Sequence, residues 1–68
     1  MKKTLKELRE EANLYQDEVA ESLGIDQAAY SRYEQGKNLP SIKKAKEMAD
    51  FFKVKLDDVD WEVKQWKR

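Results

Sequence analysis

Residues 16–34, QDEVAESLGIDQAAYSRYE, decide the fold of this 68-residue chain. Gly24 separates two amphipathic patterns, and glycine can adopt the positive φ with which one helix ends and another begins a few residues later. Ala20 is small enough to let the second helix cross close to the first. Apolar pairs at helical spacing mark the inner face of each helix: Val19 with Leu23, and Tyr30 with Tyr33. The segment predicts two short helices joined by a tight turn, the helix-turn-helix motif.

A further helix is expected upstream of the motif, over residues 4–12. Thr4 and Glu7 have the spacing of a capping box, and Leu5 and Leu8 share the inward face. Within the motif, Tyr15 precedes the first helix and offers no side-chain cap, which costs on the order of 1 kcal/mol. Asp26 is a suitable cap for the second motif helix, which Gly36 should end.

Downstream of the motif, Ser41 should cap a helix over residues 42–52. Its apolar stripe comprises Ile42, Ala45, Met48, Ala49 and Phe52. Residues 56–59 predict a short fifth helix. The sequence therefore indicates an all-α, compact five-helix domain over residues 1–59, with a short C-terminal tail over residues 60–68.

The tail has two competing periodicities. Val59, Trp61 and Val63 alternate with charged residues, as in a strand, whereas Val59, Val63 and Trp66 have helical spacing. Two tryptophans are a large apolar area for so small a domain to leave in water. Either the tail forms a dimer contact through Val59, Trp61, Val63 and Trp66, or Trp61 covers the monomer core and only Trp66 contacts a partner.

Composition excludes several classes of function. The chain has no cysteine and no histidine, so disulfides, the usual transition-metal sites and triad catalysis are not expected, and no cofactor is expected. No run of apolar residues is long enough to span a membrane, and no apolar segment follows the basic start as in a signal peptide. A cytoplasmic protein without enzymatic activity is expected.

The net charge is zero, although nucleic-acid binders are usually basic. The charges are unevenly distributed, however. Residues 32–46 contain five cations and one glutamate, whereas acidic residues concentrate in residues 7–21 and 57–62. The basic stretch begins in the second helix of the motif, and this clustering favours that face as a contact for an anionic partner.

Residues 5–59 resemble the DNA-binding domain of lambda repressor and Cro proteins, the xenobiotic-response-element (XRE) family. The resemblance rests on LKELREE, on the helix-turn-helix window, on EQGKNLPS and on an amphipathic helix that ends near KLDDV. It implies a domain whose second motif helix enters the DNA major groove. Tyr15 and Asn13 depart from the pattern, which has a threonine or serine and a glycine at these positions.

The resemblance also implies roles for individual residues. Base contacts fall at the positions matching Gln27, Ala28, Ser31 and Arg32. Gln27 can pair with adenine, Arg32 with guanine, and Ala28 can touch a thymine methyl group. Phosphate contacts are expected from Gln16, Lys37 and Asn38. Arg9 and Glu34 match a partly buried salt bridge that holds the recognition helix.

Two functions remain open. The first is a sequence-specific transcriptional regulator, most simply a repressor, that binds palindromic double-stranded DNA as a homodimer. The second is a protein-interaction module, such as an antitoxin or adaptor, whose main partner is another protein. Neutral charge and the aromatic tail suit the second function, and a regulatory protein partner is compatible with both.

Overall fold

The computed structural model describes residues 2–61. The described region is mostly helical, with a short pair of strands joining its two ends. The elements in chain order are β1 Lys3–Thr4, α1 Leu5–Glu11, α2 Gln16–Leu23, α3 Gln27–Gln35, α4 Ile42–Phe51, a 3-10 helix Leu56–Asp58 and β2 Val59–Asp60. The four predicted α-helices of the domain are therefore present, with bounds that differ by at most one residue at either end from those expected.

The predicted fifth helix is wrong as an α-helix. Residues Leu56–Asp58 form a single 3-10 turn, in which the Asp58 N–H donates to the Lys55 carbonyl at 2.9 Å. The turn cannot continue because Val59 and Asp60 take up extended backbone and pair in parallel with Lys3 and Thr4. This strand pair was not expected from the sequence.

The caps explain where the helices begin. Glu7 N–H donates to Thr4 Oγ1 at 3.1 Å and Thr4 N–H donates to Glu7 Oε1 at 2.9 Å, which completes the predicted capping box. Ser41 Oγ accepts from Lys44 N–H at 3.2 Å, as predicted. Tyr15 gives no side-chain cap, but its own N–H donates to Glu18 at 2.8 Å.

The turns also follow the sequence. Gly24 and Gly36 end α2 and α3 with φ of 72° and 77°, and Asn13 after α1 has φ of 60°. All three lie in the left-handed region that glycine and asparagine tolerate best. Asp26 occupies the cap position of α3, although its side chain makes no capping hydrogen bond.

The core lies where the inner faces of all four α-helices meet. The largest of its fully buried side chains are those of Tyr30, Met48, Val19 and Val59. Leu5 and Leu8 of α1 and Ala20 of α2 complete the buried cluster, and Tyr33 and Phe52 pack against it half-buried. Burial of Tyr30 makes it a core residue rather than a surface contact.

One member of the predicted α4 stripe is misplaced. Ala45, Met48 and Ala49 are buried, but Ile42 is 72% exposed. Ile42 lies one turn closer to the start of α4 than Ala45, where no described element covers it. The assignment of Ile42 to the core is therefore wrong, and its exposure is itself a feature of the surface.

Candidate nucleic-acid interface

Helices α2 and α3 form the predicted helix-turn-helix. After α2, the Ile25 N–H donates to the Ala20 carbonyl at 3.0 Å, which closes the turn around the left-handed Gly24. Ala20 is buried where the two helices meet. The corner is thus fixed by backbone hydrogen bonds and by a small side chain, as the sequence indicated.

The residues matched to base contacts lie together on the outer face of α3. Gln27, Ala28 and Arg32 are exposed, and Ser31 is half-buried. The Ser31 hydroxyl accepts from Gln35 Nε2 at 2.8 Å, so one of its lone pairs is already used within the helix. No carboxylate of residues 2–61 pairs with Arg32. The face therefore presents an amide, a methyl group and an unpaired guanidinium.

The residues matched to phosphate contacts divide into two environments. Lys37 and Asn38 are exposed in the loop after α3. Gln16, in contrast, is half-buried at the start of α2, and its Nε2 donates to Glu34 Oε1 at 2.9 Å. An amide nitrogen carries two hydrogens, so Gln16 keeps one donor for a second acceptor. Sequence reasoning missed this structural role of Gln16, for which the spacing gave no signal.

Arg9 and Glu34 form an ion pair on the inner side of α3. Arg9 Nε lies 2.6 Å from Glu34 Oε2, and Nη2 lies 3.4 Å from Oε1. The two side chains are 12% and 4% exposed. Arg9 Nη1 also donates to the Leu14 carbonyl at 2.9 Å. One carboxylate of α3 is thus held by side chains from α1 and α2.

The pKa directions follow from this pairing. The hydrogen bond to Glu34 raises the pKa of Arg9 above its ordinary value, against the opposing effect of burial. Burial alone would raise the pKa of the Glu34 carboxyl, but hydrogen bonds from Arg9 and Gln16 outweigh it and the pKa is lowered. Both groups are therefore charged at neutral pH.

Tyr30 lies next to this pair in the core. Its hydroxyl is buried beside the Glu34 carboxylate, to which it makes no hydrogen bond of ordinary distance and angle within residues 2–61. Burial, followed by the negative charge of Glu34, raises the pKa of Tyr30 well above its ordinary value. The phenol of Tyr30 is therefore neutral over the whole pH range in which the protein would act.

The expected dimer contacts have different outcomes. Val59 is 1% exposed, because β2 places it in the monomer core, so it has no surface to offer a partner and its assignment to a dimer contact is wrong. Trp61 is half-buried against the core, and its Nε1 donates to the Leu56 carbonyl at 3.2 Å. This placement agrees with the alternative in which Trp61 covers the monomer core. Val63 and Trp66 lie outside the described residues.

Other classes of site are not found in the described region. Residues 2–61 contain no group of three or more acidic or other ligating side chains that could hold a metal ion. Within the same residues, no helix is both long and apolar enough to cross a membrane.

Comparison with known proteins places the chain among regulators. A family model described as helix-turn-helix matches residues 5–59. An uncharacterised HTH-type transcriptional regulator of Methanocaldococcus jannaschii is 41% identical over 59 residues, which cover 87% of this chain and 89% of the relative. No solved structure matches at a significant level.

Two further relatives match over part of a longer chain. The HTH-type transcriptional activator BcrR of Enterococcus faecalis is 36% identical over 81% of this chain and 27% of its own length. The phage transcriptional repressor RstR of Vibrio cholerae is 31% identical over 81% of this chain and 50% of its own length. With the family model covering most of its length and a 41% identical relative matched almost end to end, the chain belongs to the XRE-type, lambda repressor- and Cro-like helix-turn-helix family of DNA-binding transcriptional regulators.

Proposed function

We propose that this protein is a sequence-specific transcriptional repressor that binds a palindromic operator as a homodimer. The observation that carries the proposal is the division of α3 into two faces. Its inner face is fixed by buried Tyr30 and by the Glu34 ion pair, while Gln27, Ala28 and Arg32 stay exposed on the outer face. A rigidly held helix with polar groups on its outer face is what major-groove recognition requires.

Each side chain of that face has a chemical counterpart on a base edge. Gln27 can donate to and accept from adenine, and Arg32 can donate twice to guanine O6 and N7. Ala28 can contact a thymine methyl group. The Ser31 hydroxyl, which accepts from Gln35, keeps its O–H donor and one lone pair for a base edge. These contacts predict discrimination at a few base pairs in each half-site.

Phosphate contacts would set the register. Lys37 and Asn38 lie in the exposed loop directly after α3, and the first backbone amides of α2 suit a phosphate oxygen. Gln16 has a second amide hydrogen beside these amides. With Gln16 held by Glu34, a phosphate bound there would be linked mechanically to the recognition helix.

Repression is favoured over activation on physical grounds. A bound domain can block transcription by occupying its operator, which needs nothing beyond DNA affinity. Two of the relatives carry opposite names, an activator and a repressor, so the direction depends on more than the fold. The homodimer follows from the need for specificity, since one helix-turn-helix buries too little surface against DNA to select its site.

Selection of bound duplexes from a random DNA pool tests the proposal. The expected product is an inverted repeat whose half-site centres are one helical turn apart, about 34 Å. Binding should also weaken steeply with salt, because each neutralised phosphate releases counterions. An unenriched pool, with association that does not depend on salt, would favour the protein-interaction module instead.

The protein-interaction module has one specific observation in its support. Leu39 and Ile42 are 62% and 72% exposed and are neighbours at the start of α4, so they form an apolar patch on the surface. A regulatory protein could bind there. The same surface can also be explained by self-association.

A further inference from the structure

The residue that precedes α2 departs from the pattern that two other helices of the domain follow. Thr4 and Ser41 precede α1 and α4, and their hydroxyls accept from the backbone N–H three residues later, at 3.1 and 3.2 Å. Tyr15 occupies the same position before α2 and gives no such bond. Its own N–H donates to Glu18 Oε1 at 2.8 Å, so half of a capping box is already in place. A threonine or serine at position 15 would complete it.

The Tyr15 side chain makes no compensating contact within the described domain. It is 75% exposed, and it belongs neither to the buried core nor to the half-buried side chains that pack against the core. Its hydroxyl makes no hydrogen bond within residues 2–61. A residue that breaks a local rule without a gain inside the fold indicates a role in contacts outside it.

Tyr15 lies at the end of the domain where the phosphate contacts are proposed. The next residue, Gln16, donates from Nε2 to Glu34 Oε1 at 2.9 Å, so the start of α2 lies against the C-terminal half of α3. Lys37 and Asn38 follow Glu34 within four residues, and both are exposed in the loop after α3. The exposed ring of Tyr15 is therefore next to the surface that Gln16, Lys37 and Asn38 form.

We propose that Tyr15 is a further DNA contact of this chain, whose hydroxyl donates to a phosphate oxygen and whose ring packs against the adjoining deoxyribose. The inference rests on the proposed function, because it assigns one more residue to the operator complex. Tyrosine hydroxyls are among the usual side-chain donors to DNA phosphates. The ring also loses little conformational entropy when it becomes ordered, since the side chain has only two χ angles.

The charges around Tyr15 explain why a long neutral donor suits this position. Asp17 and Glu18 are exposed in the first turn of α2, and their carboxylates repel a phosphate that comes close to the helix. The tyrosine hydroxyl extends beyond these short acidic side chains and carries no charge of its own. A threonine hydroxyl, in contrast, would stay at the end of the helix, held by the Glu18 N–H. Tyr15 therefore gives up a helix cap and gains reach toward the DNA.

Tyr15→Thr in the full chain tests this exchange, because stability and affinity should change in opposite directions. The threonine completes the capping box with Glu18, so the midpoint of thermal unfolding should rise by about 4 °C or more. Affinity for the inverted repeat enriched by the wild-type chain should fall by about tenfold or more, since both the ring and its hydroxyl are lost. A residue with only a structural role would give a more stable domain that binds DNA as well as before.

Tyr15→Phe is the matched variant for the hydroxyl alone. It neither adds a cap nor removes the ring, so it should unfold at the same temperature as the wild type. Binding should weaken by about threefold to tenfold on matched and mutated duplexes alike, because a phosphate contact carries no sequence information. The salt slope should stay unchanged, since a neutral hydroxyl releases no counterions, whereas Lys37→Ala should lower that slope by about one.

Neutral methylphosphonate linkages, placed one at a time in the operator, locate the phosphate. One linkage in each half-site should weaken binding of the wild type but have a smaller effect on Tyr15→Phe, because the variant has already lost that hydrogen bond. Losses that simply add at every linkage would overturn the phosphate contact.

The outcomes separate this inference from the proposed function. If the wild-type chain enriches an inverted repeat and Tyr15→Thr binds that repeat as tightly, the inference is overturned while the proposed function stands. A loss of affinity confined to one base pair would likewise overturn the assignment to the DNA backbone. A folded Tyr15→Thr variant that binds more weakly to all duplexes supports the inference. A wild-type chain that enriches no DNA overturns both proposals.

Discussion

Arg9→Ala should destabilise the domain and weaken DNA binding at the same time. The change removes the guanidinium that holds the Glu34 carboxylate, which is 4% exposed in the wild type, and leaves the hydrogen bond from Gln16 to it in place. The Leu14 carbonyl loses its bond from Arg9 as well. Because Arg9 belongs to α1 and Glu34 to α3, the loss also releases the inner face of the recognition helix.

The expected magnitude is large for so small a protein. Breaking one partner of a well-buried ion pair costs about 3–5 kcal/mol, since the other charge stays buried without compensation. A 68-residue domain has a total stability of roughly 3–10 kcal/mol. At about 4 °C or more per kcal/mol for a domain of this size, the midpoint of thermal unfolding should fall by at least about 12 °C.

Thermal and urea unfolding, monitored by circular dichroism, measure this effect. The matched control compares the stability of Glu34→Gln with that of Glu11→Gln. Both variants replace a paired glutamate, but Glu11 pairs with Lys3 where both side chains are about half exposed (50% and 55%). The exposed pair should contribute at most about 1 kcal/mol, so Glu11→Gln should unfold almost like the wild type. DNA binding should be compared at a temperature where all variants remain folded.

The pH dependence adds an independent check. The pKa of Glu34 is lower in the folded protein than its ordinary value of 4.5, so its contribution to stability is present above that pH. It is lost as the pH falls through the folded-state pKa. Glu34→Gln should remove this part of the acid destabilisation. An Arg9→Ala protein that melts like the wild type, or equal effects of the two glutamine variants, would refute the reasoning.

Three further results are expected. Arg32→Ala should lose about 1–3 kcal/mol of discrimination at one base pair per half-site, whereas Lys37→Ala should weaken binding to all sequences and lower the salt slope by about one. Titrations on matched and mutated duplexes measure both effects. An unchanged selected motif in Arg32→Ala would contradict the base contact. Tyr30→Phe should change stability at neutral pH by about 1 kcal/mol or less, because the buried hydroxyl makes no hydrogen bond of ordinary geometry within residues 2–61. It should also remove the part that Tyr30 contributes to the stability loss above about pH 10, where the unfolded phenol ionises and the folded one does not. A strongly destabilised variant would reveal a hydrogen bond from that hydroxyl to the neighbouring Glu34. Removal of residues 62–68 should weaken the proposed dimer, as measured by sedimentation, while the domain stays folded, and an equally strong dimer would exclude the tail from the interface.

Local chemistry made much of this fold predictable. A capping box needs only Thr4 and Glu7, and a helix stop needs only one residue that tolerates positive φ, such as Gly24. Such signals act within about four residues of each other, so a single sequence carries them completely. The four α-helices, the caps at Thr4 and Ser41 and the turn of the motif were predicted for this reason, whereas the predicted cap at Asp26 makes no capping hydrogen bond.

Contacts between distant parts of the chain were predicted less well. The pairing of β1 with β2 joins Lys3 to Val59. The alternation that starts at Val59 allowed a strand there, but the periodicity of one strand does not identify the segment with which it pairs. That pairing also buries Val59, which the sequence had assigned to a dimer contact. Ile42 shows the opposite error, because helical periodicity gives the face of a residue but not whether another element reaches that end of the helix.

The candidate site was predictable only where a family pattern supplied it. The outward-facing residues of α3 and the Arg9–Glu34 pair follow from the family pattern, but the bond from Gln16 to Glu34 does not. Gln16 was assigned to phosphate, and the structure shows that its amide also holds the carboxylate of α3. A side chain with two equivalent donors can serve both functions, and sequence spacing cannot show which acceptor each donor has.

The Glu34 carboxylate therefore accounts for how the recognition helix is held. Apolar packing through Tyr30 holds α3 against the core, but apolar contacts are not directional and allow a helix to slide or rotate slightly. The bonds from Arg9 and Gln16 have defined directions and lengths, so they restrict that freedom. A base contact is geometrically demanding, and a helix rotated by a small angle would misplace Gln27 and Arg32 together. Variants of Glu34, in which the orientation of α3 is less restricted, should therefore lose discrimination between operators more steeply than they lose affinity for nonspecific DNA.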